Sequence, residues 1–421
     1  MNPSKEEHEP FGWDNVVSIT PFDSSSEEET YLIELTNGRR FVVTKLLRDI
    51  IVLLKNGNTL DEVAHKIAQT YSIETEAEDI EKILNETLTS KIGFKQDKTA
   101  TEQEGIEKGS EKAFGMTLTK TLMPDRFASP LGEKLAGLFS PSVIAISLLA
   151  GISLHFFFYG FYGFGFANLL SLNFTEYIFV LVLFAMSGLF HEIGHISALK
   201  KYRKDAIVSI GGAVYLVFLV FYADVREAWY LRRRQRLSVD VGGVYFQFVF
   251  CSILIALFVV SSIRIFASAA LIINLNFLWF MHPFMKFDGY WVVSDALGIP
   301  NLHGKTKDYI LRVFSRKKNP ASLKIRGREN FFFRIYAIGT IFFLALSGFY
   351  LVTYFPNSFV IYLNYFRYAV IYIAQSMAAL SILGAIESII RLFFFSLPYV
   401  LLIYLVVGTV TNIFLTRTRK K

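Results

Sequence analysis

Tyr177–His195 reads YIFVLVLFAMSGLFHEIGH: an apolar run from Tyr177 to Phe190 that closes on His191, Glu192 and His195. Ionisable groups set into such a run are expensive unless they pair or work, so the cluster is a functional site by default. On a helix, positions i and i+4 share a face, so His191 and His195 present two imidazoles to one ion and Glu192 lies on the adjoining face. The spacing is that of a zinc-binding helix, with Glu192 placed to act on a metal-bound water. His-Glu-x-x-His also arises by chance in unrelated helices, but chance leaves three polar groups unpaired in hydrocarbon, at several kcal/mol.

Working outward, the rest of the 421 residues reads as a membrane protein. Hydrophobic residues make up 53% and charged residues 19%, and the mean hydropathy is +0.40, well above an ordinary soluble domain. Apolar stretches long enough to cross a bilayer run at about 142–160, 175–199, 241–262, 266–290, 331–355, 359–383 and 392–414. Basic clusters at Lys200–Lys204, Arg226–Arg236 and Lys305–Arg328 lie between them. They fall on the cytosolic side if the first span runs outward. Seven crossings would leave Arg417, Arg419, Lys420 and Lys421 outside, so six or seven spans are expected, one late segment being re-entrant or superficial. Cys251 is the only cysteine, which excludes a disulfide framework and a thiolate cluster. Met1–Thr30 is acidic and lacks an apolar core, so no cleavable signal peptide is expected and the chain is expected to begin in the cytosol.

A small soluble module precedes the spans. After an acidic tail (1–28), Tyr31, Ile33 and Leu35 alternate, Asn37-Gly38 turns, and Phe41 and Val43 return. Three short helices follow, one after Thr44 and two opened by capping boxes at Thr59/Glu62 and Thr75/Glu78. The expectation is an α+β winged helix over 29–95. Its mixed charge disfavours nucleic acid. The order of elements resembles the PQQ-biosynthesis D-type peptide chaperone. That resemblance implies a leader peptide added as a strand beside Tyr31–Leu35; a folded regulatory cap fits the same pattern. Residues 96–121 read as a flexible linker and 122–139 as an amphipathic segment on the bilayer surface, opening a membrane-embedded domain over 122–421.

A catalytic zinc usually has three protein ligands, so the helix of His191 and His195 lacks one. Asp288, in Phe-Asp-Gly-Tyr at the end of the fourth span, is the best candidate and falls at a similar depth, although an aspartate there also suits the headgroups. His282, before Pro283, fits a supporting or substrate-holding role. His8, His65, His155 and His303 read as solvated or packed.

With these residues in view, the segment from Pro124 to Asn301 resembles the site-2 protease family of intramembrane zinc metallopeptidases, and most closely its peptide zinc metalloprotease branch. The resemblance implies Zn2+ held by His191, His195 and Asp288 and Glu192 as the base. Phe221–Arg236 and Lys286–Asp295 look like that branch. Two positions depart from the family pattern. His282-Pro283 stands where Asn-Pro is usual, and Gly243-Val244-Tyr245-Phe246-Gln247 stands where Gly-Pro-x-x-Asn is expected, which bears on how His282 and Gln247 would hold substrate. A Gly211-Gly212 turn and the apolar Ala213–Tyr222 suit a re-entrant hairpin pairing with an unwound peptide, or an ordinary membrane-dipping loop.

The expected architecture is therefore a mainly α, polytopic membrane protein with a small N-terminal α+β domain, in a bacterial inner membrane with that domain cytosolic. The expected activity is hydrolysis of a membrane-associated or ribosomally made peptide. The rival is a non-proteolytic component of peptide modification or export; a transporter fits less well, since paired inverted repeats are lacking.

Overall fold

The computed structural model describes residues 15–36, 38–92, 116–162, 172–215, 218–315, 327–379 and part of 381–396. The first unit is a three-stranded antiparallel sheet, β1 (Val16–Phe22), β2 (Thr30–Leu35) and β3 (Arg40–Thr44), followed by α1 (Lys45–Lys55), α2 (Leu60–Tyr71) and α3 (Ala77–Ile92). Ile33, Leu35 and Val43 pack with Leu47, Ile50, Val63, Ile67 and Ile80 in one core. The Thr59/Glu62 capping box forms, whereas α3 starts later than Thr75, with Asp79 accepting from the Glu76 amide at 3.2 Å.

Strand β1 corrects two expectations. It lies inside the stretch assigned to an acidic tail, and it pairs with β2 from Phe22↔Thr30 to Val16↔Leu35. With β3 on the other side, β2 is the central strand. A peptide therefore cannot add beside Tyr31–Leu35, whose backbone groups are already spent; the open edge of the expected hairpin is β3.

The linker assignment also ends early, because Met116–Met123 forms β4 in a second antiparallel sheet with β5 (Ser209–Tyr215) and β6 (Phe218–Asp224), in the order β4-β5-β6. Gly211 and Gly212 lie inside β5, facing Tyr222 and Phe221 of β6, and make no turn. The amphipathic segment is α4 (Asp125–Leu135) and a 3-10 turn (Ala136–Phe139), and α4 packs on the helix Phe174–Tyr202 that carries His191.

Among the described residues, four helices are long and apolar enough to cross a bilayer: α5 (Pro141–Phe161), α6 (Phe174–Tyr202), α7 with α8 (Arg233–Asp240 and Gly242–Ser261), and the first part, Gly327–Tyr354, of α12 (Gly327–Ala378). The fourth expected span is shorter than its hydropathy. Helix α9 (Arg264–Phe280) stops before Pro283, which lacks the N–H a helix needs and disfavours helical backbone at His282. The chain then reverses into α10 (Asp288–Leu297), followed by α11 (Leu302–Ser315). The fifth and sixth expected spans are one helix of 52 residues. At about 1.5 Å per residue it is far longer than a hydrocarbon core of about 30 Å. The seventh lies almost wholly outside the described residues, which hold four long candidates and the short α9.

The two units touch through polar contacts. Arg40 donates to the Arg226 carbonyl (2.8 Å), Ser25 to the Gly298 carbonyl (2.9 Å) and Arg233 to Asp23 (3.0 Å), and Tyr230 donates to Glu34.

Helices α6 and α8 meet backbone to backbone. A Cβ on Gly194 would lie 2.3 Å from the Gly242 carbonyl oxygen, and one on Gly242 2.7 Å from the Gly194 oxygen. Small residues permit such crossings where no side chain can be accommodated. Gly194→Ala is expected to destabilise the purified full chain by about 1–3 kcal/mol. Gly160→Ala, in α5 with open space around its Cβ, should leave the thermal midpoint unchanged or slightly raised. Thermal unfolding in detergent compares the two.

Candidate metal centre

His191 and His195 project from one face of α6, and Asp288 opens α10. His191 and His195 are 7% and 8% exposed, and one ligand atom from each of the three residues lies within 4.8 Å of the others. The hydrogen bonds fix which nitrogens face the centre. His195 Nδ1 is 2.8 Å from the Val239 carbonyl; a carbonyl only accepts, so Nδ1 carries the proton and the neutral ring turns its Nε2 lone pair inward. His191 Nδ1 lies 3.3 Å from Gln247 Oε1, and the Gln247 amide nitrogen donates to Asn276 Oδ1 (3.3 Å) and Ser187 Oγ (3.4 Å). The Gln247 oxygen is thus aimed at His191 and gives it the same tautomer.

Both Nε2 atoms then meet at 3.0 Å. Asp288 Oδ2 stands 2.8 Å from His191 Nε2, yet it is buried without a hydrogen-bond partner. Asp288 Oδ1 is 3.7 Å from His195 Nε2. With both rings neutral, two Nε2 lone pairs and a carboxylate converge on one point. That donor set fits a divalent cation, with each imidazole held by an outer acceptor in the usual manner of metal-binding histidines.

Gly243 leaves the room. A Cβ there would fall 2.4 Å from His195 Nε2 and 2.5 Å from His191 Nε2. Asp288 reaches the centre because the chain folds back after α9, so tightly that a Cβ on Gly289 would lie 2.0 Å from the Met281 carbonyl oxygen. Glu192, 9% exposed, points towards β6 and accepts from the Ala223 amide.

The other anticipated residues are placed less uniformly. Gln247 supports His191 rather than standing free. His282 is outside the ligand cluster, in an aromatic box of Trp279, Phe287 and Phe343, with neither ring nitrogen bonded. Gly211 and Gly212 belong to the central strand β5, whose backbone is engaged on both sides. His155 stacks on Phe248 and His65 is exposed, whereas His303, expected in a solvated loop, packs on Tyr290 with centroids 4.2 Å apart. His8 lies outside the described residues. The Val239 carbonyl, the Ala223 amide, Ser187 and Asn276 were not anticipated. Asn276 alone left a trace, as an amide in an apolar run.

No protein-family model matches the chain, and no solved structure matches it. Among curated proteins it is similar to a protein of Bacillus subtilis (strain 168), provisionally named peptide zinc metalloprotease protein YydH. The two are 28% identical over 126 residues, 29% of this chain and 49% of the relative. The chain thus spans about half the length of the curated relative it matches.

Three substitutions test the centre by metal content of the purified protein. Asp288→Asn or His195→Ala should abolish stoichiometric binding of a divalent metal. Gly243→Ala alters no ligand but fills the space between the imidazoles, and should lower metal affinity at least about 10-fold. Unchanged content in all three would place the metal elsewhere.

Proposed function

We propose that the protein is a zinc-dependent metalloprotease that cleaves peptide bonds within the membrane or at its surface. The convergence of His191 Nε2, His195 Nε2 and the Asp288 carboxylate on one point, beside buried Glu192, carries this reading. The relative's name supports both the metal and the reaction class. Bound there, zinc would supply an acidified water and polarise the scissile carbonyl. Glu192 takes the proton from water and returns it to the leaving amine, as general base and then general acid. The Ala223 amide orients the carboxylate for both transfers.

The substrate must present its backbone, because a helix hides its carbonyls in its own hydrogen bonds. Strand β6 is bonded to β5 on one side, and the Ala223 amide turns outward on the other to meet Glu192. A peptide unwound into a strand and laid along that outer edge would pass Glu192 with its carbonyls exposed. In this reading the hairpin pairs with substrate through β6 and not through Gly211-Gly212. His282 stays a candidate substrate-holding residue, with both ring nitrogens unbonded, while Gln247 acts through His191.

The N-terminal module, with β3 at its open edge, would recruit a peptide leader in the same extended manner. The basic clusters support a cytosolic position for it at a cell membrane.

Glu192→Gln should keep the metal and lose cleavage by about 10²-fold or more. Mass spectrometry of peptides from cells carrying each form would show a precursor accumulating only with the variant. Processing that continues at the wild-type rate would remove Glu192 from the mechanism, and copurifying peptide that stays intact with the metal-loaded wild type would favour a non-proteolytic role.

A further inference from the structure

A cavity of about 650 Å³ opens where α4, the 3-10 turn after it, the start of α5 and the end of α6 meet. Lys134, Lys200, Lys201 and Lys204 line it, with Glu133 and Ser140. Four ammonium groups face one carboxylate, an excess of three positive charges in a space of the size that takes small ligands.

The lysines are not equivalent. Lys200 is 3% exposed and forms the floor, donating to the Lys204 carbonyl (2.7 Å) and to Glu133 (3.3 Å). Lys201 donates to the Phe139 carbonyl at 2.7 Å, which draws its ammonium towards the 3-10 turn. Lys134 and Lys204 are exposed, and neither has an ion-pair partner among the described residues. The floor is rigid because α4 presses on α6: a Cβ on Gly132 would lie 2.5 Å from Ile196 Cγ2 and 3.3 Å from Lys200 Cγ. At the rim Ser140 is the N-cap of α5, its side chain makes no capping bond, and Pro141 follows, so the positive end of a 21-residue helix faces the same space.

Position selects among anions. The cavity lies at the shared end of two antiparallel candidate spans, where α5 begins and α6 ends. Beside it Phe127 and Leu138 are 59% and 41% exposed, as on an amphipathic segment resting in the acyl boundary. That is headgroup depth. We propose that this cavity seats the phosphate of an anionic glycerophospholipid, with Lys134 and Lys204 as the free cations that select it and Lys200 holding the floor. Free phosphate shares the charge but lacks the acyl chains that would lie along α5.

The test uses the purified full chain in a neutral detergent, titrated with dioctanoyl phosphatidylglycerol, dioctanoyl phosphatidylcholine or inorganic phosphate. Binding is read by thermal shift and by adduct counting in native mass spectrometry. Saturable binding of phosphatidylglycerol is expected, at least about 10-fold tighter than either alternative. The doubly substituted Lys134→Gln, Lys204→Gln protein should bind it about 30-fold more weakly, at roughly 1 kcal/mol per lysine near a membrane surface. Lys134→Arg with Lys204→Arg should restore binding, which separates loss of charge from loss of fold. Equal affinity for phosphatidylcholine, equal affinity for phosphate alone, or unchanged binding by the glutamine variant would each overturn the proposal.

Discussion

The backbone contact between α6 and α8 is the constraint on which the rest of the molecule depends. At Gly194 and Gly242 the helices approach until no side chain fits between them, and α9 then packs on both. Without a hydrophobic drive between helices in lipid, such contact rests on close packing, which only small residues allow. The same approach brings Gly243 under His191 and His195. The glycines that close the crossing therefore also set the size of the space between the imidazoles.

A divalent cation accounts for that space. A buried acceptor without a donor costs free energy, and here a carboxylate oxygen and two ring nitrogens face one another. The outer acceptors hold a proton on Nδ1 of each ring, so in the neutral rings both Nε2 lone pairs turn to the same space as Asp288. The supports come from different places: a carbonyl at the end of α7, an amide on α8, and behind it Ser187 on α6 and Asn276 on α9. Four helices, α6 to α9, must be in place before the two nitrogens can point inward together.

Sequence exposed the parts of this site whose information is local. His191, Glu192 and His195 declare themselves by spacing on one helix, and Asp288 by polarity beside an apolar run, although its position on a separate short helix does not show in hydropathy. Pro283 is the local cause of that break, and its effect was hidden by the apolar residues around it. Val239 and Ala223 contribute only backbone atoms, which no side-chain pattern records. Strands β1 and β4 were missed because their partners are elsewhere: β1 in a segment read for its acidity, and β4 about ninety residues before β5. Gly211 and Gly212 suggest a turn locally but sit in the middle of a sheet, where a Cβ on Gly211 would lie 2.4 Å from the Tyr222 ring. Long apolar helices were counted well where caps or prolines bounded them and poorly at Pro356, which α12 runs through.

The N-terminal module is tied to this site through α7, a helix of eight residues. Its Val239 carbonyl orients His195. Its Arg236 is 4% exposed and divides its guanidinium among Asp295 Oδ1 at 2.9 Å, the Leu231 carbonyl at 3.0 Å and the Asp23 carbonyl at 2.9 Å. Asp295 lies on α10, which begins with the ligand Asp288, and Asp23 belongs to the module. A buried guanidinium is tolerable only when its donors are met, and removing a partner from such a pair costs about 3–5 kcal/mol. Neighbouring Arg233 repeats the arrangement, donating to Asp23 through its amide and to the Asp295 and Ala296 carbonyls through its side chain. The module thus supplies acceptors that the helix orienting one ligand needs, while the helix bearing another supplies the rest. Its place against the membrane unit and the geometry of the centre are set by the same short segment of chain.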